Sequence, residues 1–315
     1  FEEALPLIKV SEPTVQMNFG TNTSPFAGKE GKFVTGRKIE ERLFRETQRD
    51  VSLKISRVDN KEEWIVSGRG ELHLSILIEN LRREGFEFQV SRPRVILKEI
   101  NGVVNEPYEY VQVDVPDAYI GSTIEMFGNR RGNLEGMNSK DGQTRLIYTI
   151  PSKGLIGFMT DFLTATHGYG IMNHTFLEYR PVQPDVFMGR KLGVLVSINQ
   201  GMATAYACGG VEDRGELLIE PGIMVYEGMI VGICNREEDL AVNITREKQM
   251  TNQRSATKDS TTVLKKPRVF SLENYLSFID DDELVEVTPI SIRLRKKILD
   301  TVERKKYDST KLKKH

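Results

Sequence analysis

The sequence predicts an α+β protein in which two ferredoxin-like, split βαβ modules precede a β-rich C-terminal domain with short helices. Three observations carry that expectation. Apolar alternation and helical spacing follow one another as strand–helix–strand–strand–helix–strand over residues 14–91. The same order returns over 107–179. From about 186 the texture changes to short apolar runs punctuated by glycines. The length of 315 residues suits two or three domains of this kind.

Residues 14–20 (Thr-Val-Gln-Met-Asn-Phe-Gly) alternate apolar and polar and read as a strand. The polar, Gly-rich stretch 21–32 after it reads as a loop. A helix is expected over about 36–49, with Ile39, Leu43 and Phe44 on one face. Residues 51–58 and 63–67 alternate again around a hairpin turn at Asp59-Asn60-Lys61. Leu74, Leu77, Ile78 and Leu81 recur at helical spacing over 70–84. Gly85 stops that helix, and 86–91 is the closing strand.

In the second unit, residues 107–115 form a strand that ends at Pro116. Asp117 is placed to cap a helix with Ile120, Ile124 and Phe127 inside, ended at Gly132. Strands at 133–138 and 143–150 flank the turn Lys140-Asp141-Gly142. A helix over 154–167 carries Leu155, Met159, Phe162 and Leu163, and 171–179 closes the unit. Beyond it, antiparallel strands are expected at 192–198, 203–208, 216–220, 228–234 and 240–244. Ser271 should cap a short helix over 272–279, before a strand at Leu284–Val287 and a basic C-terminus.

These readings divide the chain into a linker (1–11), modules at 12–93 and 94–184, a β-rich domain (185–300) and a basic, flexible tail (301–315). The N-terminus lacks an initiator Met, which leads us to expect a longer parent chain. No run of about 18 apolar residues occurs, so no membrane partner is expected. Cys208 and Cys234 are isolated, which fits a reducing, cytoplasmic setting.

Catalytic text is sparse. No G-x-x-x-x-G-K-[ST] phosphate loop is present; Gly28-Lys29-Glu30-Gly31-Lys32 has the wrong spacing. No G-x-S-x-G elbow occurs. His73, His167, His174 and His315 do not form an H-x-x-x-H pair, and no metal site is expected. Asp280-Asp281-Asp282-Glu283 lacks calcium-loop spacing and reads as a solvated turn. No small-molecule substrate and no catalytic residue is expected.

Charge is more informative. The total is −1, from 44 Lys+Arg against 45 Asp+Glu. Yet residues 246–268 hold seven cations and two carboxylates, net +5, and residues 293–315 hold ten and three, net +7. The rest of the chain therefore carries −13. Basic segments on an acidic body are what phosphate-backbone binding uses. In the loop 245–262, Arg246, Lys248, Arg254 and Lys258 stand among neutral donors that include Asn252, a mixture suited to phosphate and ribose contacts. Arg130, Arg131 and Lys153 are further candidates in the second unit.

The motifs carry a resemblance. Ser67-Gly68-Arg69-Gly70-Glu71-Leu72-His73-Leu74 resembles a third-domain signature of translational GTPases related to elongation factor G. Glu106-Pro107, Tyr119-Ile120-Gly121, Asn129-Arg130-Arg131-Gly132, and Pro151 before Gly154-Leu155-Ile156-Gly157, resemble that factor's fifth domain. Residues 23–32 and 278–289 resemble the BipA/TypA subfamily. The resemblance implies a ribosome-associated, C-terminal portion acting in translation, stress response and ribosome assembly. The GTP and Mg of the family belong to an N-terminal domain that this text does not contain. The implied partners are ribosomal RNA, ribosomal proteins and the acceptor end of the A-site tRNA, reached through the loop 245–262. A protein-docking module and a stand-alone nucleotide hydrolase are the alternatives.

Overall fold

Alternating apolar residues place one face of the first sheet against two helices. The computed structural model describes residues 12–183, 190–248 and 264–312. The first module runs β1 (Val15–Gly20), α1 (Gly36–Thr47), β2 (Lys54–Arg57), β3 (Glu63–Gly68), α2 (Glu71–Arg83) and β4 (Phe88–Val90). Its strand order, β4-β1-β3-β2, is that of a split βαβ unit. Val15, Met17 and Phe19 point to one side of β1 and are buried against Ile39 and Leu43 of α1 and Leu74, Ile78 and Leu81 of α2. Phe44, expected inside, is 41% exposed, because the α1 stripe follows Ile39 and Leu43 only.

A short bridge follows. β5 (Arg94–Val95) pairs with β1, and β6 (Lys98–Ile100) pairs with β7 (Val103–Pro116), so the stretch 94–100 joins one module's sheet at its start and the other's at its end. The second module continues through α3 (Ile120–Asn129), β8 (Asn133–Lys140), β9 (Gln143–Pro151), α4 (Ser152–Leu155), α5 (Phe158–Ala165) and β10 (Ile171–Pro181). The order β10-β7-β9-β8 repeats the first module. Phe127 stacks on Tyr148 at 4.1 Å, with Phe158 and Phe162 closing the core. Ile124, read as inward, is 38% exposed, and Leu163 is 40% exposed. Asp117 does not cap α3. It opens a 3-10 turn, and its Oδ1 accepts from the Thr144 hydroxyl at 2.6 Å. The helix expected over 154–167 is broken at Gly157, whose φ of +71° lies in the left-handed region.

The C-terminal domain comprises β11 (Val194–Ser197), β12 (Gly201–Met202), α6 (Ala205–Val211), β13 (Gly215–Leu217), β14 (Met224–Val225), β15 (Met229–Cys234), β16 (Leu240–Val242), α7 (Leu272–Phe278), β17 (Glu283–Val287), β18 (Ile292–Lys296) and α8 (Thr301–Leu312). Residues 203–208, expected as a strand, instead start α6, because the Thr204 hydroxyl accepts the Ala207 N–H and caps a helix there. Ser271 caps α7 as expected, with Asn274 reciprocating. The strands are not all antiparallel, since β11 and β16 run parallel. Residues 301–312, read as a flexible tail, are helical and are capped by the Asp300 carboxylate.

The join between domains is a shared sheet. β17 pairs with β4, placing Val285 opposite Val90 and Val287 opposite Phe88. The first module's sheet therefore continues through β17, β18, β15, β11 and β16. Val194, Val196, Ile230, Leu276 and Ile279 share one core with the first module's side chains.

Candidate nucleic-acid interface

Thr204 fixes the start of the long basic loop. Its hydroxyl caps α6 and also donates to the Arg246 carbonyl. Arg246 and Lys248 are exposed, and the Arg246 guanidinium lies 6.0 Å from the Tyr206 ring. Asn252, Arg254 and Lys258 lie outside the described residues. Where the chain is described again, Lys265, Lys266 and Arg268 are exposed. The Lys265 N–H donates to Glu212 at 2.7 Å, and the Arg268 N–H donates to the Leu217 carbonyl at 2.9 Å. The described residues on both sides of this stretch are thus anchored to the α6–β13 region.

Arg130 and Lys153 meet in a different place. They line a cleft of about 630 Å³ where the two ferredoxin-like modules and α7 converge. Arg130 donates to the Ile156 carbonyl at 2.9 Å and reaches Asp161 at 3.4 Å. Lys153 pairs at 2.8 Å with Glu106, which is 1% exposed. Arg131 is not part of that wall. It occupies a left-handed conformation (φ +62°) after α3 and donates to Gln183 at 3.1 Å. Sequence reasoning missed two cleft residues, Arg92 and Arg94, which pair with Asp280 at 3.0 Å and Asp281 at 2.9 Å. The available signal was an arginine on each side of Pro93 in an intermodule bridge.

The acidic turn corrects its sequence reading as a solvated run. Asp280 and Asp281 hold Arg92 and Arg94, Asp282 holds Lys296, and Glu283 holds both Arg190 and Lys296 at 2.8 Å. Burial pushes the Glu283 carboxyl up, but Arg190 and Lys296 outweigh it and hold its pKa at about 2. Burial pulls the Lys296 ammonium down, and Glu283, Asp239 and Asp282 more than reverse that. Arg293 pairs with Glu286 at 3.1 Å and with Glu30. Arg295, 3% exposed, donates to Thr23 at 2.9 Å and Gln89 at 3.0 Å. Arg293 and Arg295 therefore tie the C-terminal domain to the first module, while Lys296 braces the C-terminal domain internally through Asp239, Asp282 and Glu283.

The glycine loop has an internal occupant. The Gly28 and Gly31 N–H groups donate to the Glu87 carboxylate at 2.7 and 2.8 Å. A Cβ at Gly31 would lie 2.3 Å from the Glu87 Cβ, so the approach requires glycine. His174 and His167 have different partners. His174 bonds to Glu109, while the His167 ring lies 5.8 Å from Tyr119.

Comparison with known proteins follows the same order along the chain. Residues 34–92 match Elongation Factor G, domain III, residues 103–189 the Elongation factor G C-terminus, and residues 192–301 the TypA/BipA C-terminal domain. These matches define the class: C-terminal modules of a translational GTPase. A Bacillus subtilis relative is 57% identical over 306 residues, covering 97% of this chain and 50% of its own length. Relatives from Synechocystis (53% identical, 93% of this chain, 49% of the relative) and Salmonella typhimurium (50%, 96% and 50%) agree. All three carry the name large ribosomal subunit assembly factor BipA. The chain belongs to the BipA/TypA family and corresponds to the C-terminal portion of its members. It spans about half the length of these curated relatives.

Proposed function

We propose that this chain is the RNA-facing, ribosome-binding portion of a ribosome-associated GTPase that acts in large-subunit assembly, translation and stress response. It performs no hydrolysis itself. GTP and Mg belong to the N-terminal half that the relatives possess. Its setting is the cytoplasm, and its partners are ribosomal RNA, ribosomal proteins and the acceptor end of the A-site tRNA.

One observation carries this reading. On the module matching the TypA/BipA C-terminal domain, Arg246 and Lys248 lead into the basic loop and Lys265, Lys266 and Arg268 lead out, all exposed. Lys248, Asn252, Arg254 and Lys258 then supply phosphate and ribose contacts, and Arg130, Arg131 and Lys153 assist from the second module. Such binding releases counterions and weakens steeply with salt. The test is co-sedimentation with ribosomal particles over a salt series. The Lys248/Arg254/Lys258-to-Ala variant should bind more weakly and with a shallower salt slope. Binding indistinguishable from that of the unsubstituted chain would overturn the loop assignment.

A further inference from the structure

We infer that the cleft where the three modules meet is a seat for the phosphates of a single-stranded RNA segment, and that Asp281 of the acidic turn occupies it in the RNA's place. This rests on the RNA-facing reading above and deepens it, joining Arg92 and Arg94 to Arg130 and Lys153 in one site. The wall carries Arg92, Arg94, Arg130 and Lys153, with Asp161 and Asp281 at its edge.

The cations are held in position before any ligand arrives. Arg94 is fixed through β5, where it pairs with Gln16 of β1, and Pro93 beside it is buried. Arg130 is held by the Gly154 and Ile156 carbonyls, and Lys153 is held from behind by the buried Glu106. An arginine has five N–H donors and a lysine three, so each bond named here leaves others for a phosphate. Leu97, 52% exposed, joins Ile156 and Phe278 in an apolar floor against which a base or ribose packs.

The carboxylates at the edge are held differently. The Arg94 and Asp281 side chains are 59% and 61% exposed, and that of Asp161 is 63% exposed. Exposed pairs of this kind contribute about 0–1 kcal/mol, so exchanging Asp281 for a phosphate costs little. A strand spanning the cleft meets several cations at once, whereas each aspartate meets one or two. Asp281 thus mimics the ligand's charge on Arg94, and RNA binding displaces it from there.

Opposite-sign substitutions test this in the full chain. The probe is a short fluorescein-labelled single-stranded RNA, followed by anisotropy from about 50 to 200 mM salt. Arg94→Gln should weaken binding about threefold to tenfold and lower the salt slope by about 0.7, the value of one neutralised single-strand phosphate. Asp281→Asn should strengthen binding about threefold, because it removes the competitor. Both side chains are more than half exposed, and an unchanged melting transition will confirm folding. Responses in the same direction, no response in either variant, or no binding of the probe at the lowest salt would overturn the inference. Ribosome co-sedimentation separates the two readings. Particle binding that is lost in the loop variant but indifferent to Arg94 and Asp281 upholds the function and rejects the cleft. Opposite responses with the RNA probe, without particle binding, do the reverse.

Discussion

Residues 246–268 and 293–315 carry net charges of +5 and +7, and the described cations of the first are exposed whereas three of the second are turned inward. Arg246, Lys248, Lys265 and Lys266 are exposed on either side of residues 249–263. Arg293, Arg295 and Lys296 sit on β18 inside the shared sheet, the first and last opposite carboxylates of β17 and Arg295 opposite Leu284. The register places Glu286 across from Arg293 and Glu283 across from Lys296. Cross-strand pairs of opposite charge stabilise a sheet, and burial raises the stakes. Local charge density therefore does not distinguish a ligand-binding segment from a structural one. The strand assignment does.

The largest expected effect lies on the inward side. Lys296→Met leaves Asp239 and Asp282 without their common cation, and leaves the fully buried Glu283 to Arg190 alone. Breaking a buried network of this kind costs about 3–5 kcal/mol, which urea unfolding will measure. A loss below about 1 kcal/mol would place Lys296 with the outward cations.

Acid should reveal the same network. The Glu283 pKa falls from 4.5 unfolded to about 2 folded. Its contribution is present above pH 4.5 and is lost as pH falls from there through 2, by about 3 kcal/mol in total. Glu283→Gln should flatten that acid limb, and an unchanged limb would break the assignment.

Glu71 provides the opposite case and sharpens the contrast. One oxygen accepts the Gly157 N–H at 2.6 Å across the module joint, while the other is buried without a partner. Burial raises its pKa to about 7, only partly opposed by that N–H. A raised carboxyl pKa works in the other direction: stability is fullest below pH 4.5 and declines as pH rises toward 7. Glu71→Gln keeps an acceptor for Gly157 and removes the charge. It should stabilise the chain at pH 8 by about 1–3 kcal/mol and leave it nearly unchanged at pH 4.5.

These contrasts show which features were legible in the sequence. Both ferredoxin-like orders were, because alternation and helical spacing are local. Ser271 and Gly85 were legible because caps and stops are local too. The shared sheet was not, since nothing near Phe88–Val90 announces a partner almost two hundred residues away. The charge ladder was available in part, as Glu283-Leu-Val-Glu286 followed by Arg293-Leu-Arg-Lys296 has the text of a hairpin. Read as a basic C-terminus, the second strand has no partner in the sequence, and its cations enter only as part of a net charge of +7. Arg130 and Lys153 were singled out from sequence, but their cleft depends on Arg92 and Arg94 and on where α7 comes to rest.

The smallest stability effect belongs to the outward cations, and there it serves as the diagnostic. Lys265 and Lys266 are exposed, and Lys265 is anchored through its backbone N–H to Glu212. Replacing both with Ala should leave stability within about 0.5 kcal/mol, since exposed substitutions of this kind rarely do more. The same variant should lower the salt slope of ribosome binding by about 1–2, roughly one for each phosphate left without its lysine. A cation that matters to binding and not to folding has its partner outside the chain, whereas Lys296 should show the reverse. If Lys265 and Lys266 instead cost several kcal/mol and leave the salt slope untouched, the loop's flanks are structural, and the RNA-facing surface must be sought elsewhere on the molecule.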